Sequence, residues 1–333
     1  MKIAVVVPCF RVTDHVLDVI SRIDERVAKI YAVDDACPDG SGDHIEANVT
    51  DPRVTVLRHK VNKGVGGAVV TGYHAALADG MDIVVKIDGD GQMPPEIMNN
   101  FTRPIELGEA DYVKGNRFFS RGAVKSMPPM RLFGNAILSF MTKLSSGYWS
   151  VFDPTNGYTA IHSRTLAALD LDLLAERYFF ESDVLIRIGE LRAVVFDVPM
   201  RAVYGAEISG LAIRSVLFDF LFRHMYATVR RIVYQYFLRD FSIASLNLAV
   251  GLPLLFFGVV FGSIKWSESM SSGEVASTGT VMLSVLPIIS GLQMLLFFFS
   301  SDIESEPKRP LQKQSIIGVL SPLPSDRSTE AQQ

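Results

Sequence analysis

Val84-Val85-Lys86-Ile87-Asp88-Gly89-Asp90-Gly91-Gln92 is the stretch on which the reading of this chain turns. It starts as an apolar strand interrupted by one lysine and ends in two carboxylates one residue apart. Gly89 and Gly91 let the backbone bend where a Cβ would be strained. On an extended segment, residues i, i+2 and i+4 share a side. Asp88, Asp90 and Gln92 therefore offer three oxygens to one hard cation, Mg2+ or Mn2+, with phosphate oxygens to complete its shell. Two plainer readings compete. An Asp-Gly repeat is also the composition of a solvated turn. A helix-loop-helix calcium loop needs Gly at its sixth position and Glu at its twelfth, and here those positions hold Met93 and Asn99.

Outward from this turn the chain alternates strands and helices. Residues 2–8, ended by Pro8, read as a parallel strand buried on both faces. A helix is expected over 13–28, with Thr13 as N-cap and Val16, Leu17, Ile20, Ile23 and Val27 on one face. Residues 29–33 form a second strand ending at Asp34-Asp35, and 54–57 a third. Asn62-Lys63-Gly64-Val65-Gly66-Gly67 then opens a helix reaching Asp79, and strand 83–87 delivers the acidic turn. This alternation predicts an α/β fold with a mostly parallel open sheet, whose ligands gather at the carboxyl ends of the strands. Pro8, Asp34, Asn62 and Asp88 all fall there. The glycines at 64–67 do not complete a dinucleotide fingerprint, because Val69 stands at its last position and the stretch follows the third strand. They read as a close approach at a helix start, with direct phosphate contact as the alternative.

Further on, a helix is expected over 94–108 and a strand over 112–116, followed by Arg117. A helix runs from Arg131 to Ser145, and the turn Asp153–Gly157 precedes a strand over 158–161. Glu181 and Asp183 sit at the start of a helix ending near Arg192, and 193–198 is the last strand. Then the composition changes. Residues 211–239 are aromatic and aliphatic, interrupted by Arg214, Arg223, Arg230, Arg231 and Arg239. That pattern fits a basic amphipathic helix on an anionic membrane surface; a helix packed on the domain is the alternative. Residues 242–262 carry no charge and would span about 31 Å as a helix, enough to cross a bilayer. Residues 281–300 form a second such run. Arginines precede the first span and Lys308 and Arg309 follow the second, so both chain ends are expected on the cytoplasmic side. The expected layout is an α/β domain over 1–210, interface helices over 211–241, a transmembrane hairpin over 242–301 and a disordered tail over 302–333. Gly251, Gly258 and Gly262 permit close helix contact and so self-association. A net charge of −4 gives no reason to expect nucleic-acid binding. Cys9 and Cys37 lack the spacing of a disulfide framework or zinc site and fit a reducing compartment.

Val5-Val6-Val7-Pro8, Val33-Asp34-Asp35, Asn62-Lys63-Gly64, Asp88-Gly89-Asp90-Gly91-Gln92, Gly115-Asn116-Arg117, Asp153-Pro154 with Gly157, and Arg201 before Tyr204-Gly205 occur in this order. Together they resemble family 2 glycosyltransferases of the GT-A fold. More narrowly they resemble the polyprenyl-phosphate group of dolichyl-phosphate mannose synthases and bacterial undecaprenyl-phosphate sugar transferases. The resemblance implies inverting, metal-dependent transfer of one hexose from a UDP- or GDP-sugar to undecaprenyl or dolichyl phosphate. It also implies an integral protein of a bacterial or archaeal plasma membrane, its catalytic domain cytoplasmic. On that resemblance Pro8, Asp34 and Asp35 line the base and ribose pocket, and Asn62, Lys63, Gly64, Asp88, Gly89 and Asp90 complete the nucleotide-sugar site. Asp88, Asp90 and Gln92 hold Mg2+ or Mn2+ on the diphosphate. Arg117 and Arg131, with Asn135 and Ser209, face the lipid phosphate, and Arg201 sits near one of the phosphates. Asp183, in preference to Glu181, is the expected acid on the acceptor side. After Tyr204 the chain departs from its relatives: Gly205-Ala206-Glu207-Ile208-Ser209-Gly210 lacks the lysine many of them carry. Two other functions compete: transfer to a glycan or glycolipid hydroxyl, which needs a general base, and a non-catalytic membrane scaffold, which the complete Asp-x-Asp-x-Gln set disfavours.

Overall fold

The computed structural model describes residues 1–119, 129–200 and 213–314. Seven strands make one sheet: β1 (Ile3–Cys9), β2 (Val27–Asp34), β3 (Val54–Arg58), β4 (Ile83–Lys86), β5 (Tyr112–Asn116), β6 (Thr159–His162) and β7 (Val195–Pro199). Their order in space is β3-β2-β1-β4-β6-β5-β7. Every pairing is parallel except those of β6, which runs antiparallel to β4 and β5. The helices between them are α1 (Val16–Ser21), α2 (Ser41–Asn48), α3 (Gly64–Ala78), α4 (Met98–Glu106), α5 (Pro129–Ser146), α6 (Ser163–Ala167) and α7 (Phe180–Leu191).

Strand alternation divides the core into two layers. Val5 and Val7 of β1 pack on one face with residues of α1 and α4, while Ala4 and Val6 pack on the other with residues of α3 and α7. Both faces are covered, so the run has no polar side. Phe101 of α4 stacks on Tyr158 with ring centroids 4.0 Å apart. On the opposite face α3 lies close against β1: a Cβ on Gly72 would sit 2.3 Å from Val6 Cγ1.

The first helix differs from expectation. It covers six residues, its N-cap is His15 and not Thr13, and no side chain caps it. The chain turns before β2 because Asp24 Oδ1 accepts the Arg26 N–H at 2.8 Å. Arg53 Nη1 braces the same turn, donating to the carbonyls of Asp24 at 2.8 Å and Val27 at 3.3 Å. Val27 thus begins a strand, a use of its apolar side chain that helical spacing alone does not separate from a helix face.

Residues 228–306 form a second compact unit. Helix α8 (Ile213–Val233) runs into it and continues as a π-helical turn, Tyr234–Arg239; α9 (Ile243–Ser272) and α10 (Thr278–Glu304) then form a hairpin. Both hairpin helices are long and apolar enough to cross a membrane. Large apolar side chains along them, such as Phe256, Leu286 and Leu296, are exposed; an apolar surface of this extent marks contact with a partner or lipid. The hairpin glycines meet each other's helix. A Cβ on Gly291 would lie 2.6 Å from Leu255 N, and one on Gly251 would lie 2.7 Å from Met294 Cβ. Gly251 and Gly258 therefore close the hairpin within one chain, and the self-association read from them loses that support.

The expected tail from 302 is helical to Glu304. Asp302 is buried there, in two bonds to Arg231 at 2.8 and 2.9 Å, and accepts the Tyr236 hydroxyl at 2.6 Å. Leu311–Lys313 form a short 3-10 turn that belongs to the first unit. The N–H groups of Leu311 and Gln312 donate to the buried carboxylate of Asp111 at 2.8 and 3.0 Å, and Gln312 Nε2 donates to the Ala110 carbonyl at 2.7 Å. The rest of the expected tail, residues 315–333, lies outside the described residues.

Candidate active site

Strand β4 is buried throughout and passes the chain at its carboxyl end to Ile87-Asp88. The Asp90 carboxylate then accepts the Gln92 N–H at 2.9 Å, and Gly91 takes a φ of 75°. That positive φ is where glycine is required. The backbone therefore folds back after Asp88, and Gln92 is placed by this turn and not by strand alternation. Gly89 is packed in, since a Cβ there would come 3.2 Å from Val12 Cγ2.

Lys86 is the side chain around which the turn is assembled. It is 1% exposed, with Nζ 2.8 Å from Asp88 Oδ1 and 3.1 Å from Glu181 Oε1. Burial alone would lower its pKa, but the Asp88 and Glu181 carboxylates outweigh this and raise it, so it stays an ammonium. Gly157 closes the third side. A Cβ there would lie 2.4 Å from Lys86 Nζ and 2.6 Å from Asp88 Oδ2, so no other residue fits without displacing the charges.

Asp34 and Asp35, at the end of β2, turn their carboxylates onto the loops that follow. Asp34 accepts the N–H of Cys37 at 2.8 Å and of Gly42, at the start of α2, at 2.7 Å. Asp35 accepts the N–H groups of Lys63 at 2.8 Å and Gly64 at 2.7 Å, and bonds His59 Nδ1 at 2.7 Å. Its carboxylate thus occupies the anion position at the N-terminus of α3. Gly64 and Gly66 pack instead on the 175–177 loop, where Cβ atoms would meet Glu176 O at 2.7 Å and Ala175 O at 2.2 Å. These glycines are a close approach, and Asp35 takes the N–H groups of Lys63 and Gly64 at the helix start. Pro8 is half-buried on β1 beside Val33, and Lys63 is exposed.

Arg117 follows β5 and is gripped by Asp153, which accepts Nε at 2.8 Å, Nη2 at 2.7 Å and the backbone N–H at 3.0 Å. Asp153 holds a left-handed backbone, φ 56°. Burial would raise its pKa, but the Arg117 bonds and the charges of Arg117 and Lys114 overcome that and hold it below the usual carboxylate range. Asn135 is half-buried on α5, as the sequence placed it; Arg131 is on the same helix, its side chain outside the described residues, as are Arg201 and Ser209 entirely.

The two acids of α7 separate. Asp183 accepts the Ala175 N–H at 2.9 Å and pairs with Arg187 Nε at 3.1 Å. It pins the 175 loop and is not brought to Lys86. Glu181 is the acid that meets Lys86, because residues two apart on a helix point to nearly opposite sides.

The donor chemistry at Asp88 fits a divalent cation. Asp88 Oδ1 is buried against the Lys86 ammonium, 2.8 Å away, and takes no other donor. A carboxylate that none of the backbone N–H groups ties down, two residues from a second carboxylate, suits Mg2+ or Mn2+. Among the described residues no group of three or more His, Cys, Asp and Glu gathers.

Residues 4–169 match the model of glycosyl transferase family 2. Over 204 residues the chain is 30% identical to the undecaprenyl-phosphate mannosyltransferase of Micrococcus luteus, a match covering 60% of this chain and 83% of that one. The chain is a family 2 glycosyltransferase. The transferase is also 36% identical over 152 residues to the UDP-N-acetylglucosamine–dolichyl-phosphate N-acetylglucosaminyltransferase of Methanococcus voltae, covering 46% of its own length and 60% of that relative's. Among solved structures it resembles glucosyl-3-phosphoglycerate synthase from Mycobacterium tuberculosis in complex with Mn2+, UDP and phosphoglyceric acid. The TM-score is 0.52 at 19% identity, over 69% of the transferase and 78% of that chain. That likeness is one of fold, and it agrees with the mixed, mostly parallel sheet expected from the sequence.

Proposed function

We propose that the transferase moves one hexose from a UDP- or GDP-sugar to a polyprenyl phosphate at the cytoplasmic face of a membrane, inverting the anomeric carbon. The observation that carries this reading is Asp88: a carboxylate at the end of a central strand, whose Oδ1 takes no donor besides the Lys86 ammonium, two residues from Asp90. With Gln92 these residues would hold Mg2+ or Mn2+, which offsets the charge a nucleoside diphosphate gains as it leaves. The Mn2+ and UDP in the complex of the structural neighbour support that assignment. The acceptor is supported by the relatives, which act on undecaprenyl or dolichyl phosphate by name, and by the apolar hairpin.

Asp34 and Asp35 shape the base and ribose pocket by fixing the loops after β2 and β3, with Pro8, Asn62, Lys63 and Gly64 at its edge. A lipid monophosphate has a second pKa of about 6 and is largely dianionic at neutral pH. It needs orientation and charge screening more than a base. Arg117, pre-set by Asp153, supplies this with Arg131, Asn135, Arg201 and Ser209, since the guanidinium fork meets phosphate in two bonds. Glu181 orients sugar hydroxyls from its seat on Lys86, and Asp183 positions the neighbouring loop.

Membranes carrying the transferase, given radiolabelled nucleotide sugar and polyprenyl phosphate, are expected to form a chloroform-extractable product that EDTA suppresses. Absence of such a product with every common UDP- and GDP-hexose would overturn the reading. Product formed solely on glycolipid hydroxyls, and abolished by Glu181→Gln, would favour base-assisted transfer instead.

A further inference from the structure

We infer that Lys86 sets how tightly the acidic turn takes a divalent cation, and that Glu181 acts on that affinity through Lys86. The inference rests on Asp88 and Asp90 as the cation's ligands, and it concerns what the chain does to those ligands before any cation arrives.

The ammonium is fixed. Lys86 is the last residue of β4, and its side chain cannot swing to solvent, because the strand, the start of α7 and Gly157 enclose it. Its charge lies 2.8 Å from Asp88 Oδ1, which takes no other donor. A divalent ion binding that carboxylate meets a permanent positive charge within a few ångströms, and the repulsion weakens its hold. Glu181 works the other way. It accepts a hydrogen bond from Lys86 Nζ at 3.1 Å, so the ammonium is divided between two carboxylates and Asp88 keeps more negative charge to offer. The metal site is therefore tuned by a resident cation and by that cation's second partner. Turnover gives this arrangement a purpose: a cation bound too tightly by the protein alone would hold the nucleoside diphosphate after transfer.

The test is Mn2+ binding by full-length protein in detergent, without nucleotide and at fixed pH, followed by the electron paramagnetic resonance of unbound Mn2+. Lys86→Met is expected to bind Mn2+ about tenfold more tightly, the order expected when one charge at this distance is removed from a partly solvated site. Glu181→Gln, which leaves Lys86 to Asp88 alone, is expected to bind it several-fold more weakly. In the double variant Glu181→Gln is expected to lose its effect, because its route is gone. Unchanged or reversed affinity in either single variant overturns the inference. So do additive effects, which would mean that Glu181 acts on the cation directly. If Lys86→Met does not fold, Glu181→Gln still decides, since affinity equal to or above wild type is incompatible with the inference. Failure of the wild type to bind Mn2+ would instead overturn the metal reading of Asp88 and Asp90, and this inference with it.

Discussion

Asp88 differs from the other acids at the strand ends in what surrounds it. Asp34, Asp35 and Asp153 each spend oxygens on backbone N–H donors, whereas Asp88 Oδ1 faces the Lys86 ammonium and takes no other donor. Asp88→Asn keeps the shape and removes the charge; we expect the rate of sugar transfer to fall about 100-fold or more, and the unfolding midpoint to fall as well, because the buried Lys86 ammonium then keeps Glu181 as its one carboxylate partner. Another side chain reports on pH. His224 is buried against Ser145 and Phe179, and burial pushes its pKa down to about 4. An unfolded histidine titrates near pH 6.5, so the unfolded chain takes up the proton first. Stability is then complete above about pH 6.5 and falls by about 3 kcal/mol as the pH drops to about 4. Unfolding measured across that range should show this slope, and His224→Asn should flatten it. The acidic turn was legible in the sequence because its chemistry is local: two carboxylates, two glycines and the strand that precedes them. Which of Glu181 and Asp183 meets Lys86 was not. It depends on which side of α7 faces β4, and two positions on one helical turn carry no record of that.

The elements follow local pattern where one pattern dominates. Strand β1 is found where its β-branched run puts it, β5 covers the expected 112–116, and α3 starts at its glycines. Helix α1 shows the opposite case, in which Ile23 and Val27 satisfied a helical stripe while a turn built on Asp24 and Arg53 decided otherwise. The hairpin spans were legible from composition, yet the use of their glycines was not, because sequence does not say which helix a glycine meets. Gly291 now allows a specific expectation. A side chain there must enter the Leu255 backbone, so Gly291→Leu should force α9 and α10 apart. Overpacking of this kind costs about 1–3 kcal/mol, to be read as a lower unfolding midpoint in micelles. Gly273, where a Cβ would meet nothing within 4 Å, supplies the control, although its positive φ makes Gly273→Asn the suitable replacement.

Seen as one chain, the transferase leaves its first unit at Ala227 and returns to it at Pro307. The return was not legible, because Leu311-Gln312-Lys313 carries no strong pattern and lies in a polar, proline-bearing stretch that composition assigns to disorder. Its anchor, Asp111, sits two hundred residues earlier and reads as an ordinary strand-flanking acid. That carboxylate is fully buried and takes N–H donors from Val194, Leu311 and Gln312. A buried charge stripped of its hydrogen bonds is costly. Stopping the chain after residue 227 would remove two of those donors together with the apolar helices, and we expect such a fragment to unfold at lower temperature and to aggregate. Replacing residues 228–306 by a flexible Gly-Ser bridge keeps the donors, and that form should retain its unfolding midpoint and its Mn2+ binding in detergent-free buffer. The hairpin is in this sense an insertion within the catalytic unit and not an appendage to it, so a water-soluble transferase is to be reached by excision and not by truncation.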